Sequence, residues 1–440
     1  MSHQKSILQN AFAAALAVAD PQKIVPEYLE KIFTDSPPQK KCLVVGAGKA
    51  SASMASALER FAKQHWSHTQ LEGIVLTRYG HGSPTEFIQI IEAGHPVPDQ
   101  AGMDGAKAVL QLVNQLNAGD VLIVLVSGGG SSLLTLPQAG ISMEDMRSTT
   151  QALLRCGAPI EEMNIVRKHL SAILGGNLAR AAMQRGARVE ALLISDVTGD
   201  QPADIGSGPC AADYSTYQDA LSILAKHQLD EASIPASVLN HLQKGLDGLI
   251  PETLKEHDLK NAPVKNHVIA TAYKSLEAAA DYVRSEGYEP IILGDTITGE
   301  AKEVGADQAK LVKELIDRRD GNKPLAVISG GECTVTLPAG IKGRGGRCSE
   351  FLLSLFVETG HIPRLAALAA DTDGIDGSEK NAGAWFTPEL REASKSQGVN
   401  PRQFLDAHDC YGFFAELSAL VETGPTLTNV NDFRIILLNK

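Results

Sequence analysis

Hydrophobic and polar positions along this chain follow two alternating rhythms. Short apolar-rich runs fall at residues 42–45, 73–77, 88–92, 121–126, 189–194, 267–271, 290–293, 325–329, 365–370 and 433–438. Between them lie longer stretches with helical spacing, at 53–63, 99–116, 143–156, 160–185, 274–286 and 300–318, and a short one at 351–357. Strands alternating with helices predict an α/β fold built on parallel sheets. Near the amino terminus, Leu8, Phe12, Ala15, Leu16 and Ala19 recur at helical spacing and predict an amphipathic helix packed on the body. Residues 230–266 are polar and punctuated by prolines, which marks a domain boundary. The expected division is 1–245 and 260–440, with the second unit beginning at the run 267–271.

The run VLIVLVSGGGSSLL, residues 121–134, is the strongest single signal. Six apolar residues read as a strand buried on both faces. It empties into Ser127, Gly128, Gly129, Gly130, Ser131 and Ser132. Glycines allow a tight turn and close approach of backbone N–H groups, and the serines can cap a helix or donate to an anion. Such a turn at the carboxyl edge of a sheet is where α/β proteins bind phosphorylated ligands.

Composition narrows the field. The chain has 440 residues, long enough for two domains, and 43% hydrophobic against 21% charged content is ordinary for a globular protein. A net charge of −12 argues against a nucleic-acid surface but leaves room for a local basic pocket. The six cysteines form no CxxC pair, which fits a reduced cytoplasmic setting better than a disulfide scaffold or zinc site. No apolar run at the amino terminus is long enough to span a membrane, and a signal peptide is the weaker reading there.

Other loops carry candidate chemistry. The strand 42–45 meets Gly46-Ala47-Gly48-Lys49-Ala50-Ser51, which resembles the start of a dinucleotide fingerprint with Ser51 at its last place. Lys49 in a turn before a helix opposes the positive end of the helix dipole, a cost that an anionic ligand relieves. The next strand ends in Thr77-Arg78, without the acid that NAD enzymes place on the ribose. His95 lies in the rigid loop GHPVPD, and Arg167 and Lys168 beside Ser171 form a basic patch near a helix, either facing an anion or forming a solvated helix face. Asp196 and Asp200 follow a strand on a glycine-containing loop suited to a hard cation. In the second half, Gly345, Gly346 and Arg347, with Arg344, precede a helix and resemble an anion clamp of guanidinium forks and free N–H groups. Asp371 and Asp373 end the strand 365–370, a placement suited to magnesium; turn formation is the plainer alternative.

In this order, GAGKAS, GHPVPD, LVSGGGSSLL, VRKHLS, GGNLAR, SDVTGDQPADIGSGP, ISGGECTVTL, GRGGRCSEF, AADTDGIDG and GPTLTNVND resemble one family, the glycerate 2-kinases of the MOFRL type. The resemblance runs from about residue 40 to the end. It implies an amino-terminal Rossmann-like α/β domain, a carboxyl-terminal MOFRL α/β domain and an active site in the cleft between them. It further implies transfer of the γ-phosphoryl group of ATP, with a divalent metal, to the 2-hydroxyl of D-glycerate. The family's important lysine matches Lys49, and its important arginine matches Arg347. Cys348 stands where the family usually has Asn.

The residues suit such chemistry, because phosphoryl transfer needs cations, backbone donors and a metal around a triphosphate. Lys49, Arg347 and Asp196 are the expected catalytic groups, with Asp196 and Asp373 the alternatives for general base. Residues 128–132, with Gly345 and Gly346, are expected to bind ATP; Asp196, Asp371 and Asp373 are expected to hold Mg2+. Expected partners are D-glycerate and ATP, with no nucleic acid or membrane, and a homodimer is left open. Some relatives carry the name hydroxypyruvate reductase, so an NADPH-linked reductase is the alternative. A non-catalytic sugar-phosphate sensor is a third reading.

Overall fold

In a computed structural model the chain forms two compact units, Pro21–Ile269 and the combination of Met1–Asp20 with Ala270–Lys440. The structure describes residues 3–318, 323–338, 340 and 342–439.

The unit Pro21–Ile269 is organised by strands β1 (Lys41–Ala47), β2 (Gln70–Arg78), β3 (Ile88–Ala93), β4 (Val121–Val126), β5 (Arg188–Ile194) and β6 (Val264–Ala270). They lie in the order β3-β2-β1-β4-β5-β6. From β1 to β5 every pairing is parallel, with Val45 opposite Ile74 on one side and Val124 on the other. This is the dinucleotide-fold order, and the chain reverses direction across the sheet between β1 and β4. Leu43, Val45, Leu122 and Val124 are fully buried, as apolar runs covered on both faces must be. The run expected to open the second unit is instead the sixth strand of this sheet. A short apolar run does not reveal which sheet will receive it.

The helical stretch expected at 160–185 is two helices, Ile160–Leu170 and Asn177–Gln184. Ser171 Oγ accepts the amides of Ile173 and Leu174 at 3.2 and 3.0 Å. The amides of Gly175 and Gly176 then donate to the carbonyls of Ser207 and Gly208 at 3.0 and 2.7 Å. Those long-range bonds replace the i−4 bonds that would continue a helix.

The other unit holds β7 (Glu289–Ile292), β8 (Gly299–Glu300), β9 (Leu325–Gly331), β10 (Cys333–Thr334), β11 (Leu365–Asp371), β12 (Gly383–Phe386), β13 (Leu420–Val421) and β14 (Asp432–Leu438). Its main sheet runs β13-β12-β11-β14-β9-β7; only the β7–β9 pair is parallel, while β8 and β10 form a separate ribbon. The expected assignment of residues 1–20 to the amino-terminal domain differs from what is found. Helix His3–Ala17 packs here, with Phe12 against Phe433 at 5.7 Å between ring centroids and Lys5 Nζ 4.2 Å from the Trp385 ring. Burial of its apolar face decides its place, whatever its position in the chain. Among the described residues no helix is long and apolar enough to cross a membrane, and all six cysteines are free.

Candidate functional site

In the unit Pro21–Ile269 the loops after β1 and β4 are stitched together where the strand order reverses. Lys49 donates its amide to the Gly128 carbonyl at 2.9 Å, and Ser127 donates to the Ala47 carbonyl at 3.3 Å. Ser127 Oγ accepts the Ala50 amide at 3.0 Å, and Ser51 Oγ donates to the Leu125 carbonyl at 3.0 Å. Gly48, at φ +146°, touches this knot so closely that a Cβ there would stand 2.1 Å from Ser127 Oγ. The serine in the last place of GAGKAS thus ties the turn to β4.

Two further loops close on the β4 turn. His95, in GHPVPD, lies against Gly129, whose left-handed φ of +83° and missing Cβ leave room for the ring. Ser131 Oγ lies 2.8 Å from Ser207 Oγ, while Ser132 Oγ donates to the Gly129 carbonyl at 3.1 Å. Gly130 opens the short helical turn Gly130–Leu133. Lys49, the loop 128–132, His95 and Ser207 therefore gather at one carboxyl-terminal sheet edge. Asp196 follows the end of β5 on that same edge. Edges of this kind, with amides and hydroxyls around a strand reversal, are anion and nucleotide seats. Sequence reasoning did not single out Ser207; its signal was the IGSGP segment. The basic patch is not a solvated face: Lys168 is buried, with Nζ 3.5 Å from both Asp204 Oδ1 and Asp213 Oδ1.

The second set of expected residues lies in the other unit. Arg347 starts the helix Arg347–Glu358, four residues earlier than the apolar spacing indicated. Its Nε donates to Asp432 Oδ1 at 2.7 Å and its Nη2 to Asp371 Oδ2 at 2.9 Å, while Nη1 lies 3.0 Å from Glu332 Oε1. Burial works against its charge, but Asp432, Asp371 and Glu332 raise its affinity for the proton above the ordinary arginine range. The guanidinium fork expected to clamp an anion is engaged here by three carboxylates of its own chain. The helix amides are engaged too. Cys348 and Ser349 donate theirs to the fully buried Asp376 at 2.9 and 2.8 Å. Burial pushes the Asp376 carboxyl up to about 6 against those bonds. Gly345 and Gly346 shape the turn before this helix, where Ser378 donates its amide to the Gly345 carbonyl at 3.3 Å. Glu332, Asp376 and Asp432 were missed in the sequence, although Asp376 sits within DTDGIDG and Asp432 within NVND.

Asp371 and Asp373 are buried turn carboxylates. Asp371 Oδ1 accepts the Asp373 amide at 3.0 Å and Asp373 Oδ1 accepts the Ile375 amide at 2.9 Å. Among the described residues no group of three or more His, Cys, Asp or Glu side chains is arranged to hold a metal ion. Of the expected trio, Asp196 belongs to the unit Pro21–Ile269 and Asp371 and Asp373 to the other. Cys348 is fully buried, and burial and the carboxylates of Asp432, Asp376 and Asp371 push its thiol up.

Two known families match parts of this chain. Residues 7–243 match a family described as a domain of unknown function, DUF4147, and residues 325–432 match the MOFRL family. A glycerate 2-kinase of Pyrococcus horikoshii is 39% identical over 90% of this chain and 87% of its own length. The chain belongs to the MOFRL-type glycerate 2-kinase family. A D-glycerate 2-kinase of Thermotoga maritima is 37% identical over 95% of this chain and 94% of its own. The crystal structure of a glycerate kinase from that organism superposes with a TM-score of 0.85 at 35% identity, covering 99% of each chain. A relative from Agrobacterium vitis, 44% identical over 99% of this chain and 94% of its own, carries the name hydroxypyruvate reductase.

Proposed function

We infer that this chain transfers the γ-phosphoryl group of ATP to the 2-hydroxyl of D-glycerate, giving 2-phosphoglycerate and ADP. The observation that carries this is near-full-length similarity to two relatives named glycerate 2-kinase. The stitched glycine turns at the reversal of the parallel sheet support it. Phosphoryl transfer asks a protein mainly for positioning and for charges that meet the transferring group. Residues 128–132 supply amides and hydroxyls for the phosphates, and Lys49 supplies the cation beside them. Asp196, on the same edge, is the carboxylate we assign to receive the hydroxyl proton of the acceptor, with Asp373 the alternative. Arg347 acts by holding Asp371, Asp432 and Glu332 in one arrangement.

Magnesium keeps most of its shell as water and phosphate oxygen and needs only one or two carboxylates. Asp196, beside the glycine turn, suits that requirement within its own unit, whereas Asp371, in the other unit, is committed to Arg347 and to the Asp373 amide. When bound, the ion neutralises phosphate charge. Six free thiols suit a reducing compartment, and we place the enzyme in the cytoplasm.

The reductase reading has its own support in the strand order and in the name carried by the Agrobacterium vitis relative. Against it, β2 ends in Thr77-Arg78 with no acid for a ribose, and the third fingerprint glycine is Ser51. Two assays on the purified chain separate the readings: D-glycerate-dependent ADP release, and oxidation of NADPH by hydroxypyruvate. The kinase reading requires the first and is overturned by the second occurring alone.

A further inference from the structure

A cavity of about 360 Å³ opens beside the β4 turn, wholly within the unit Pro21–Ile269. One side is apolar, formed by Met146 and Leu154 of the helix Met143–Arg155 and by Ile160 and Met163 of the next helix. Another side carries Ser131 and Ser132 of the glycine turn. Two guanidinium groups also face it, Arg147 and Arg167.

Those arginines are the unusual feature. Arg167 reaches only Asn164 Oδ1, at 3.5 Å, and Arg147 donates through Nη2 to the Pro98 carbonyl at 2.8 Å while its buried Nε has no partner. Among the described residues neither forms an ion pair with a carboxylate. Burial alone lowers the proton affinity of Arg167 below the ordinary arginine range. An unpaired, half-buried cation against apolar side chains is costly unless a ligand brings the anion. In a chain of net charge −12, leaving two such groups without acids reserves them for something else.

The shape and chemistry choose among ligands. Glycerate has three carbons and a carboxylate, too small for this volume and too polar for the Met/Leu/Ile side. A nucleoside has flat apolar faces, a polar edge and a phosphate at one end. Thr150 and Gln151 offer a hydroxyl and an amide for that edge, and guanidinium planes stack on purine faces as well as pairing with phosphate. The hydroxyls of Ser131 and Ser132 connect the cavity to the turn where phosphates sit.

We propose that this cavity seats the nucleoside of ATP, with Arg167 meeting the phosphate nearest the sugar; the assignment rests on the kinase reading above. It is tested by calorimetric binding of adenosine and of inorganic tripolyphosphate, together with KM for ATP and for D-glycerate. The variants are Arg167→Ala, Thr150→Trp and Leu154→Trp, the last at a rim residue 60% exposed that tolerates bulk if Thr150→Trp fails to fold. Wild type binds adenosine. The tryptophan variants lose adenosine, keep tripolyphosphate, and raise KM for ATP with KM for glycerate unchanged. Arg167→Ala raises KM for ATP on the order of tenfold, as expected for one charged hydrogen bond. Adenosine bound equally by wild type and the tryptophan variants, or a rise in KM for glycerate alone, overturns the assignment. Adenosine binding that is lost in the tryptophan variants, in a chain with no glycerate-dependent ADP release, upholds the cavity and removes the kinase reading.

Discussion

His95 rests on Gly129: a Cβ added at position 129 would stand 2.6 Å from His95 Nε2. The contact fixes the GHPVPD loop against the glycine turn that follows β4. Gly129 also adopts φ +83°, so an alanine there meets two penalties. Gly129→Ala should destabilise the fold by roughly 1–2 kcal/mol for the left-handed backbone, with a further loss from the clash. His95→Ala in the same chain removes the clash and leaves the backbone cost. Denaturant unfolding of both single variants and the double measures the coupling. Strict additivity would show that the ring and the glycine are not in contact.

Lys49 is held in its turn by the amide bond to Gly128, which an alanine at this position keeps. Lys49→Ala should therefore fold with a near-normal melting temperature. Its kcat should fall roughly a hundredfold or more, the scale of losing one preorganised charge-stabilising donor. Turnover at the wild-type rate would remove Lys49 from the reaction.

Arg347 answers three carboxylates, one of them the fully buried Asp432. Arg347→Ala takes this guanidinium from Asp371 and Glu332 while Asp432 keeps Arg434 at 2.7 Å, so it should cost about 1–3 kcal/mol. Arg347→Lys keeps a point charge without the fork, so it should fold, melt lower and lose much of its kcat/KM. Adding Asp371→Asn to Arg347→Lys should recover part of the stability. Arg344 pairs with Asp409 at the surface, 3.2 Å away with 53% of its side chain exposed. Arg344→Lys should change stability by less than about 1 kcal/mol. If Arg344→Lys is the crippled variant and Arg347→Lys behaves as wild type, the network has been assigned to the wrong arginine.

Glu252 gives the unit Pro21–Ile269 an acid limb. Burial pushes its carboxyl up, but His169 at 3.0 Å and the amides of Tyr217 and Thr253 outweigh that and bring it down to about 2. A carboxyl lowered by folding contributes stability that is complete above its unfolded value and is lost as pH falls toward its folded one. The loss should run from about 4.5 down to about 2. Its size is on the order of 2 kcal/mol, allowing for solvent screening of a partly exposed side chain. Glu252→Gln should flatten that part of the melting-temperature profile. An unchanged profile would mean that the His169 contact carries no net charge interaction.

Much of the first sheet was legible because buried parallel strands announce themselves as apolar runs. Val121–Val126 and Arg188–Ile194 were visible in this way, and the glycines after Val126 fixed where the turn would be. Sheet membership was not legible: Val264–Ala270 has the same local pattern whichever sheet it joins. The small strand Gly383–Phe386 is four residues long and escaped notice. At the site, Lys49 and the β4 turn stood out through local chemistry. The partners of Arg347 did not, because Glu332, Asp371 and Asp432 come from three separate strand ends. An arginine among glycines before a helix has the same local appearance whether it awaits a ligand or its own acids. The pairing of Gly129 with His95 needed the third dimension for the same reason.

The most direct measurement is phosphorus NMR of the product formed from ATP, magnesium and D-glycerate by the purified chain. The account predicts a single new phosphate monoester at the 2-position, appearing together with ADP and formed roughly a hundredfold more slowly, or slower still, by Lys49→Ala. A product phosphorylated only at the 3-position, or reduction of hydroxypyruvate by NADPH with no phosphoryl transfer, would contradict it.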